Sequence, residues 1–181
     1  ERLKSGELIY SGVLRTNVAA LLKKVELGGY GGECSVSSEL FAITADVYLV
    51  LGHITGDDYS CESPNSYAFV GREKAEKSRM SALRRLSRVV CSDLEELGED
   101  GAIRIAEQVK SGQIKELRAS LDRMREKYGL NMVVAAGIGD FIVHEAADSL
   151  GMQVMPLASI YGKRIAATFP AYAVARLLEK S

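Results

Sequence analysis

A glycine turn, Gly137-Ile138-Gly139, is the first feature with chemical potential, because it separates a predicted strand from a predicted helix. Two glycines let a ligand approach the backbone, and the free N–H groups of a helix start favour an anion or a polar group. A dinucleotide fingerprint is not complete, since Ile142 stands where its third glycine would fall. Asp140 would repel a bare phosphate. The turn therefore favours a base, a sugar or a metal-bound phosphate, or it is a tight turn without a ligand.

Two carboxylates, Glu39 and Asp46, stand seven residues apart in a run that predicts one helix from residue 37 or 38 to 51. That spacing places them on nearly the same helix face. The rest of the run is apolar, so both carboxylates need partners if the helix is buried. Alternatively, Glu39 only interacts favourably with the helix dipole as a first-turn carboxylate. The candidate partners are Arg15, Lys23, Lys24 and a Mg²⁺ ion.

A polar segment from Gly56 to Gly71 is the best candidate for a mobile loop. It contains Asp57 and Asp58, and paired carboxylates on a loop either hold Mg²⁺ through water or form a solvated turn. We expect Asp57 and Asp46 to be the metal ligands. Cys91, further along the chain, is expected in the core.

The segment from Arg72 to Leu97 predicts one long amphipathic helix. Its part up to Arg88 holds seven basic residues against two acidic ones. Such a face attracts phosphates or is simply a solvated helix surface. Three of its cations are candidate diphosphate contacts: Arg79, Arg84 and Arg88.

The elements that position these residues predict an α/β protein. Strand 131–136, helix 140–150 and strand 153–157 form a βαβ unit, which implies parallel strands with a right-handed crossover. A strand is predicted over 8–14, and Thr16 or Asn17 is expected to cap a short helix. The remaining predicted helices are 102–110, 113–128 and a final one from Pro170 to Glu179.

The composition fits a folded domain and excludes several other classes. Of 181 residues, 47% are apolar and 26% charged, with a net charge of −1. This excludes disorder, and near neutrality gives no electrostatic reason to expect nucleic-acid binding. Three separated cysteines do not form a disulfide framework, and no apolar run is long enough for a membrane span. We expect a cytoplasmic protein. Because the chain starts at Glu1, we also expect it to be part of a longer protein.

Several long stretches carry a specific resemblance, and they are distributed from end to end of the chain. They are Glu1–Tyr10 with Gly12–Thr16, Glu39–Gly52, Arg85–Asp93 and Pro170–Ala175. Together they resemble the hydantoinase/oxoprolinase-related family of methanogenic archaea and methylotrophs. One departure is residues 62–66, where the family usually carries a Thr-Ala-Asp-Gly-Arg-like run.

The resemblance implies a fold of the actin-like ATPase superfamily, built from two ribonuclease-H-like halves with inserted helices. The phosphate loops of that superfamily are missing from this sequence, so residues 1–181 resemble most of the carboxy-terminal half. Residues 56–128 would form a loop and a helical subdomain. The glycine turn at Gly137 and Gly139 would contact adenosine, which makes ATP a possible ligand. The missing amino-terminal half is then an expected partner, and a homo-oligomer is possible.

The activity implied by the resemblance is a transferase step of methanofuran biosynthesis. It joins the phenol oxygen of γ-glutamyltyramine to an aminomethylfuran methyl diphosphate and expels pyrophosphate. In that reading Arg15 clamps phosphate, Asp46 or Glu39 supports Mg²⁺ or takes the phenolic proton, and Gly137, Gly139, Asp140 and Arg88 bind the ligand. The alternatives are ATP-dependent phosphoryl transfer or ring opening, and a non-catalytic nucleotide-binding module.

Overall fold

The computed structural model describes residues 7–28, 32–64 and 77–179. The chain divides into two compact units. The amino-terminal unit is Ser11–Gln113, and the carboxy-terminal unit combines Glu1–Tyr10 with Ile114–Ser181. No helix of the described ranges is both long and apolar enough to cross a membrane.

The amino-terminal unit begins with a turn and a short helix. The described residues of the predicted strand 8–14 form no strand; a turn starts at residue 13. Helix α1 (Val18–Leu21) follows, and Asn17 caps it as predicted, because its side-chain oxygen accepts the N–H of Ala19 at 3.0 Å. Strands β1 (Lys24–Glu26) and β2 (Glu33–Ser35) then pair antiparallel on either side of the glycine cluster. Three residues are too few for alternation to show in the sequence, so this pair was not predicted.

Helix α2 (Thr44–Val50) starts later than the sequence indicates, and all its residues are buried. Residues 38–41 form bends, so Glu39 lies outside the helix, and the prediction that it shares a helix face with Asp46 is wrong. Contacts with a distant part of the chain explain the later start of the helix. Ala42 accepts the N–H of Val18, and Ile43 forms an antiparallel bridge with Asn17, which keeps this segment extended.

The predicted helix 72–97 is interrupted. Helix α3 (Arg79–Arg88) ends before Cys91, which is exposed and has a φ of 58°, so the prediction that it lies in the core is wrong. Helix α4 (Leu94–Tyr128) has a kink at Gly98 and begins where Asp93 accepts the N–H of Glu96 at 2.7 Å. Residues 72–76 lie outside the described residues.

The predicted break at Ser111-Gly112 does not occur, because α4 continues through it. Close packing explains why residue 112 is a glycine. A β-carbon on Gly112 would lie 3.0 Å from a methyl of Leu22, which is closer than ordinary van der Waals contact.

The carboxy-terminal unit contains the predicted βαβ motif. Strands β3 (Met132–Ala135) and β4 (Gln153–Pro156) pair in parallel, with Met132 opposite Gln153, and α5 (Asp140–Asp148) connects them. The final helix is confirmed as α8 (Phe169–Leu178), with Pro170 in its first turn. Two short helices that were not predicted precede it, α6 (Ala158–Tyr161) and α7 (Lys163–Ala167). Helices and a parallel strand pair together confirm a mixed α/β protein.

Candidate functional site

A cleft of about 520 Å³ lies in the amino-terminal unit. Two segments of the chain supply most of its surface. The entry wall consists of Leu40 and Ile43, which lead into α2, and the loop wall consists of residues 60–64. The lining residues are Arg15, Leu40, Ile43, Ser60, Cys61, Glu62, Ser63 and Pro64.

Arg15 brings a positive charge to this cleft from a fixed turn. Leu14 before it accepts the N–H of Ala45 at 3.3 Å, and Thr16 after it accepts the N–H of Thr44 at 2.9 Å. The hydroxyl of Thr44 also donates to the carbonyl of Gly12 at 2.7 Å. The Arg15 side chain is exposed, and no carboxylate pairs with it among the described residues. A guanidinium on a braced backbone suits the binding of a phosphate or another anion.

A buried ionic cluster adjoins the cleft and is centred on Asp46. Arg85 donates from Nε and Nη2 to Oδ1 of Asp46, at 2.9 and 2.6 Å. The phenol of Tyr59 donates to the same oxygen at 3.0 Å, and the N–H of Ile43 donates to Oδ2 at 3.1 Å. The side chains of Arg85 and Asp46 are 3% and 0% exposed, so this pair is screened from water. Asp46 thus has the partner its burial requires, but the partner is Arg85 rather than Arg15 or a lysine.

Burial dominates the electrostatics of this cluster. It raises the pKa of Asp46, while the charge and hydrogen bonds of Arg85 oppose the rise. Burial, and then the charge of Asp46, raise the pKa of Tyr59 well above its usual value. Burial also raises the pKa of the Cys61 thiol. Tyr59 and Cys61 are therefore both neutral near pH 7.

The loop wall is anchored on both sides of Tyr59. Before it, the carboxylate of Asp58 accepts the N–H and the hydroxyl of Thr55, at 2.8 and 2.7 Å. After it, the thiol of Cys61 donates to the carbonyl of Leu14 at 3.4 Å. The loop wall is thereby tied to the residue that precedes Arg15.

Most other predicted site residues of the amino-terminal unit do not line the cleft. Glu39, Asp57 and Arg88 are exposed and absent from its lining. Two of the candidate diphosphate contacts are engaged elsewhere. Arg79 pairs with Glu99 at 2.5 Å and Arg84 with Glu95 at 3.7 Å.

The described residues do not fit a Mg²⁺ ion at Asp46. Within these ranges, no three His, Cys, Asp or Glu side chains gather as potential ligands. The two oxygens of Asp46 already accept four hydrogen bonds, and none of its surface faces solvent. Asp57 as a ligand stays a prediction.

The glycine turn of the carboxy-terminal unit is formed as predicted. Gly137 has a φ of 96°, a conformation that favours glycine, and its N–H donates to the carbonyl of Ala166 at 2.9 Å. Gly139 caps α5, and Asp140 lies in its first turn. The turn geometry alone accounts for a glycine at position 137, so a role in binding ATP stays a prediction.

The sequence interpretation missed Arg85, Tyr59, Cys61 and Glu62. Arg85 offered a signal. It stands three residues after Ala82 and four before Val89, so helical spacing places it on the apolar face of α3, where a charge requires a partner. Tyr59, Cys61 and Glu62 offered none, because only the folded loop brings them to the cleft.

Comparisons with known proteins agree on one family. The sequence model described as hydantoinase/oxoprolinase matches residues 1–181. A protein of Methanocaldococcus jannaschii is 37% identical over 180 residues, which cover 99% of this chain and 51% of that protein. A protein of Methanococcus vannielii is 35% identical over 183 residues, 99% of this chain and 78% of that protein. Both are named (4-{4-[2-(gamma-L-glutamylamino)ethyl]phenoxymethyl}furan-2-yl)methanamine synthase. The chain thus spans about half the length of the first relative.

Proposed function

The chain belongs to the hydantoinase/oxoprolinase family, and we propose that the protein containing it is a synthase that joins a phenol to a furan through an ether. The relatives' shared name describes a product with a phenoxymethyl group on a furan ring. Identity of 35% and 37% over nearly the whole chain supports carrying this activity over.

The reaction that we propose is a displacement at the furan methylene carbon. The phenol oxygen loses its proton to solvent and bonds to that carbon, while the carbon–oxygen bond to a diphosphate breaks. Pyrophosphate leaves with the electron pair of that bond. Negative charge grows on the leaving group, so fixed positive charge near it lowers the barrier.

The observation that carries this proposal is the exposed guanidinium of Arg15 in the cleft. Its backbone is held on both sides by α2, so the segment that carries the charge is fixed before a ligand binds. We assign Arg15 to the diphosphate. Leu40 and Ile43 offer an apolar surface for a ring, and Glu62 brings a carboxylate to the part of the lining that the structure describes.

Asp46 takes a different role in this proposal from the one that its sequence position indicates. Its carboxylate is enclosed and hydrogen-bonded to Arg85, Tyr59 and Ile43, so it cannot reach a phenolic proton without breaking the cluster. We therefore place Asp46 among the residues that hold the cleft. ATP-dependent phosphoryl transfer is less favoured, because neither relative's name describes it.

The test is pyrophosphate release by the full-length protein from the furan methyl diphosphate, with and without γ-glutamyltyramine. We expect release that depends on the phenol and matches formation of the ether, measured by mass spectrometry. ATP hydrolysis measured in parallel separates the alternatives. Phenol-independent release, or ATP hydrolysis that depends on the phenol, would contradict the proposal.

A further inference from the structure

We infer that the Asp46 carboxylate sets the separation of the two walls of the cleft, with Tyr59 and Arg85 as positioning residues for the anion that binds between the walls. The binding part of this inference rests on the proposed function. The structural part concerns the free protein and is testable without turnover.

The two oxygens of Asp46 serve different walls. Oδ2 accepts the backbone N–H of Ile43, which belongs to the entry wall, at 3.1 Å. Oδ1 accepts the phenol of Tyr59, the residue directly before the loop wall, at 3.0 Å. Tyr59 is 1% exposed, so the bond is screened from water and fixes the start of the loop wall. A single carboxylate thus connects both walls.

Arg85 fixes the orientation of that carboxylate. Its Nε and Nη2 both reach Oδ1, and a planar guanidinium that donates twice holds its acceptor in one plane. Arg85 is itself buried, and it is absent from the residues that line the cleft. Arg85 therefore does not line the cleft, and it acts as a positioning residue through Asp46.

The loop wall in turn determines what surrounds Arg15. The thiol of Cys61 bonds to the carbonyl of Leu14, next to Arg15. If Tyr59 loses its bond to Asp46, the loop wall relaxes relative to both the entry wall and the Arg15 turn. An anion then meets a wider cleft and binds more weakly, whereas the chemistry after binding changes less.

Tyr59→Phe is the sharpest variant, because it removes one hydroxyl and keeps both the ring and the Asp46–Arg85 pair. We expect KM for the diphosphate substrate to rise about tenfold, since a hydrogen bond to a charged group is worth roughly that factor or more. We expect kcat to change less than about threefold. A variant that merely lowered the amount of folded protein would lower the apparent kcat and leave KM unchanged.

Cys61 provides a readout that does not need turnover. In the full-length protein, iodoacetamide labelling of Cys61, followed by peptide mass spectrometry, reports how tightly the loop wall is packed. We expect slow labelling in the natural protein, slower still with inorganic pyrophosphate. In Tyr59→Phe we expect labelling about tenfold faster, with weaker protection by pyrophosphate.

Tyr48→Phe is the matched control. It also removes a buried phenol hydroxyl, which donates to Gln113 at 2.7 Å, but that bond touches neither wall. We expect labelling of Cys61 at the natural rate. If Tyr59→Phe does not fold, Arg85→Lys tests the same link, because it keeps the charge but loses the two-point contact.

The outcomes distinguish the linkage between the two walls from the proposed function. Labelling and protection of Cys61 in Tyr59→Phe that match the natural protein would overturn this inference. Faster labelling in the variant, combined with no pyrophosphate protection in the natural protein, would support the linkage between the walls and count against the proposed function instead.

Discussion

Arg85 donates from Nε and Nη2 to one carboxylate oxygen of Asp46, although the two residues are 39 positions apart in the sequence. The pair joins α3 to α2 in the interior of the amino-terminal unit. A buried pair of this kind adds little stability compared with apolar residues, but the loss of one partner leaves an uncompensated charge. The relationship therefore makes Asp46 sensitive to substitution for a structural reason.

Asp46→Asn should lower the free energy of unfolding by about 3–5 kcal/mol, because Arg85 would stay buried without its counter-ion. Urea unfolding monitored by circular dichroism measures this. Glu99→Gln is the control, since it removes the exposed pair with Arg79 and should cost less than about 1 kcal/mol. Equal effects of the two substitutions would show that the buried pair is not needed.

Tyr59 should make the protein less stable in alkaline solution. Burial raises the pKa of its phenol in the folded state, so the stability from the neutral phenol is present below the unfolded pKa of about 10. It is lost progressively as the pH rises above that value. Unfolding free energies between pH 9 and pH 11 should therefore fall less steeply in Tyr59→Phe. Identical slopes in Tyr59→Phe and the natural protein would refute the assignment.

Asp58 should make the stability of the protein decrease in acid solution. The N–H and then the hydroxyl of Thr55 lower the pKa of Asp58, so its contribution is present above the unfolded pKa of about 3.9. It is lost as the pH falls through the lower, folded value. Asp58→Asn should flatten the decrease in stability between pH 5 and pH 3 by a fraction of a kcal/mol, a small effect because the group is largely solvated. If Asp58→Asn shows the same decrease as the natural protein, the turn does not depend on the Asp58 carboxylate.

Cys91→Gly should stabilise the protein by up to about 1 kcal/mol. Cys91 has a φ of 58°, where a side chain is strained and glycine is not. Thermal unfolding measures the change. Cys34→Gly is the control, because Cys34 lies in β2, where glycine should destabilise. A loss of stability in Cys91→Gly would mean that its side chain makes a contact worth more than the strain.

The sequence predicts the carboxy-terminal unit better than the amino-terminal one. The βαβ motif is local: two apolar runs and glycines at 137 and 151 mark its strands and turns. The start of α2 is not local. Ser37 and Glu39 imitate a helix start, but pairing of residues 42–43 with 17–18 keeps the chain extended there. Tertiary contacts outweigh a capping signal that is worth about 1 kcal/mol.

The sequence also predicts only part of the candidate site. Asp46 stands out as a charge within an apolar run, and its burial demands a partner, whereas Arg15 stands in a short polar patch that follows an apolar run. The spacing in α3 marks Arg85 as a charge that requires a partner, but the packing of α3 on α2 decides which carboxylate it meets. The loop wall, with Cys61 and Glu62, depends in the same way on the bond from Tyr59 to Asp46.

We propose that Arg15 holds the diphosphate of the substrate, and the most direct test is pyrophosphate release by the full-length Arg15→Gln protein. Arg118→Gln is the matched control, because it removes another exposed guanidinium, on α4. We predict that Arg15→Gln lowers kcat/KM for phenol-dependent release by about a hundredfold, as expected for the loss of a charge that stabilises the leaving group. Arg118→Gln should remain within about threefold of the natural protein. Release by Arg15→Gln that is as fast as release by the Arg118→Gln control would contradict the account.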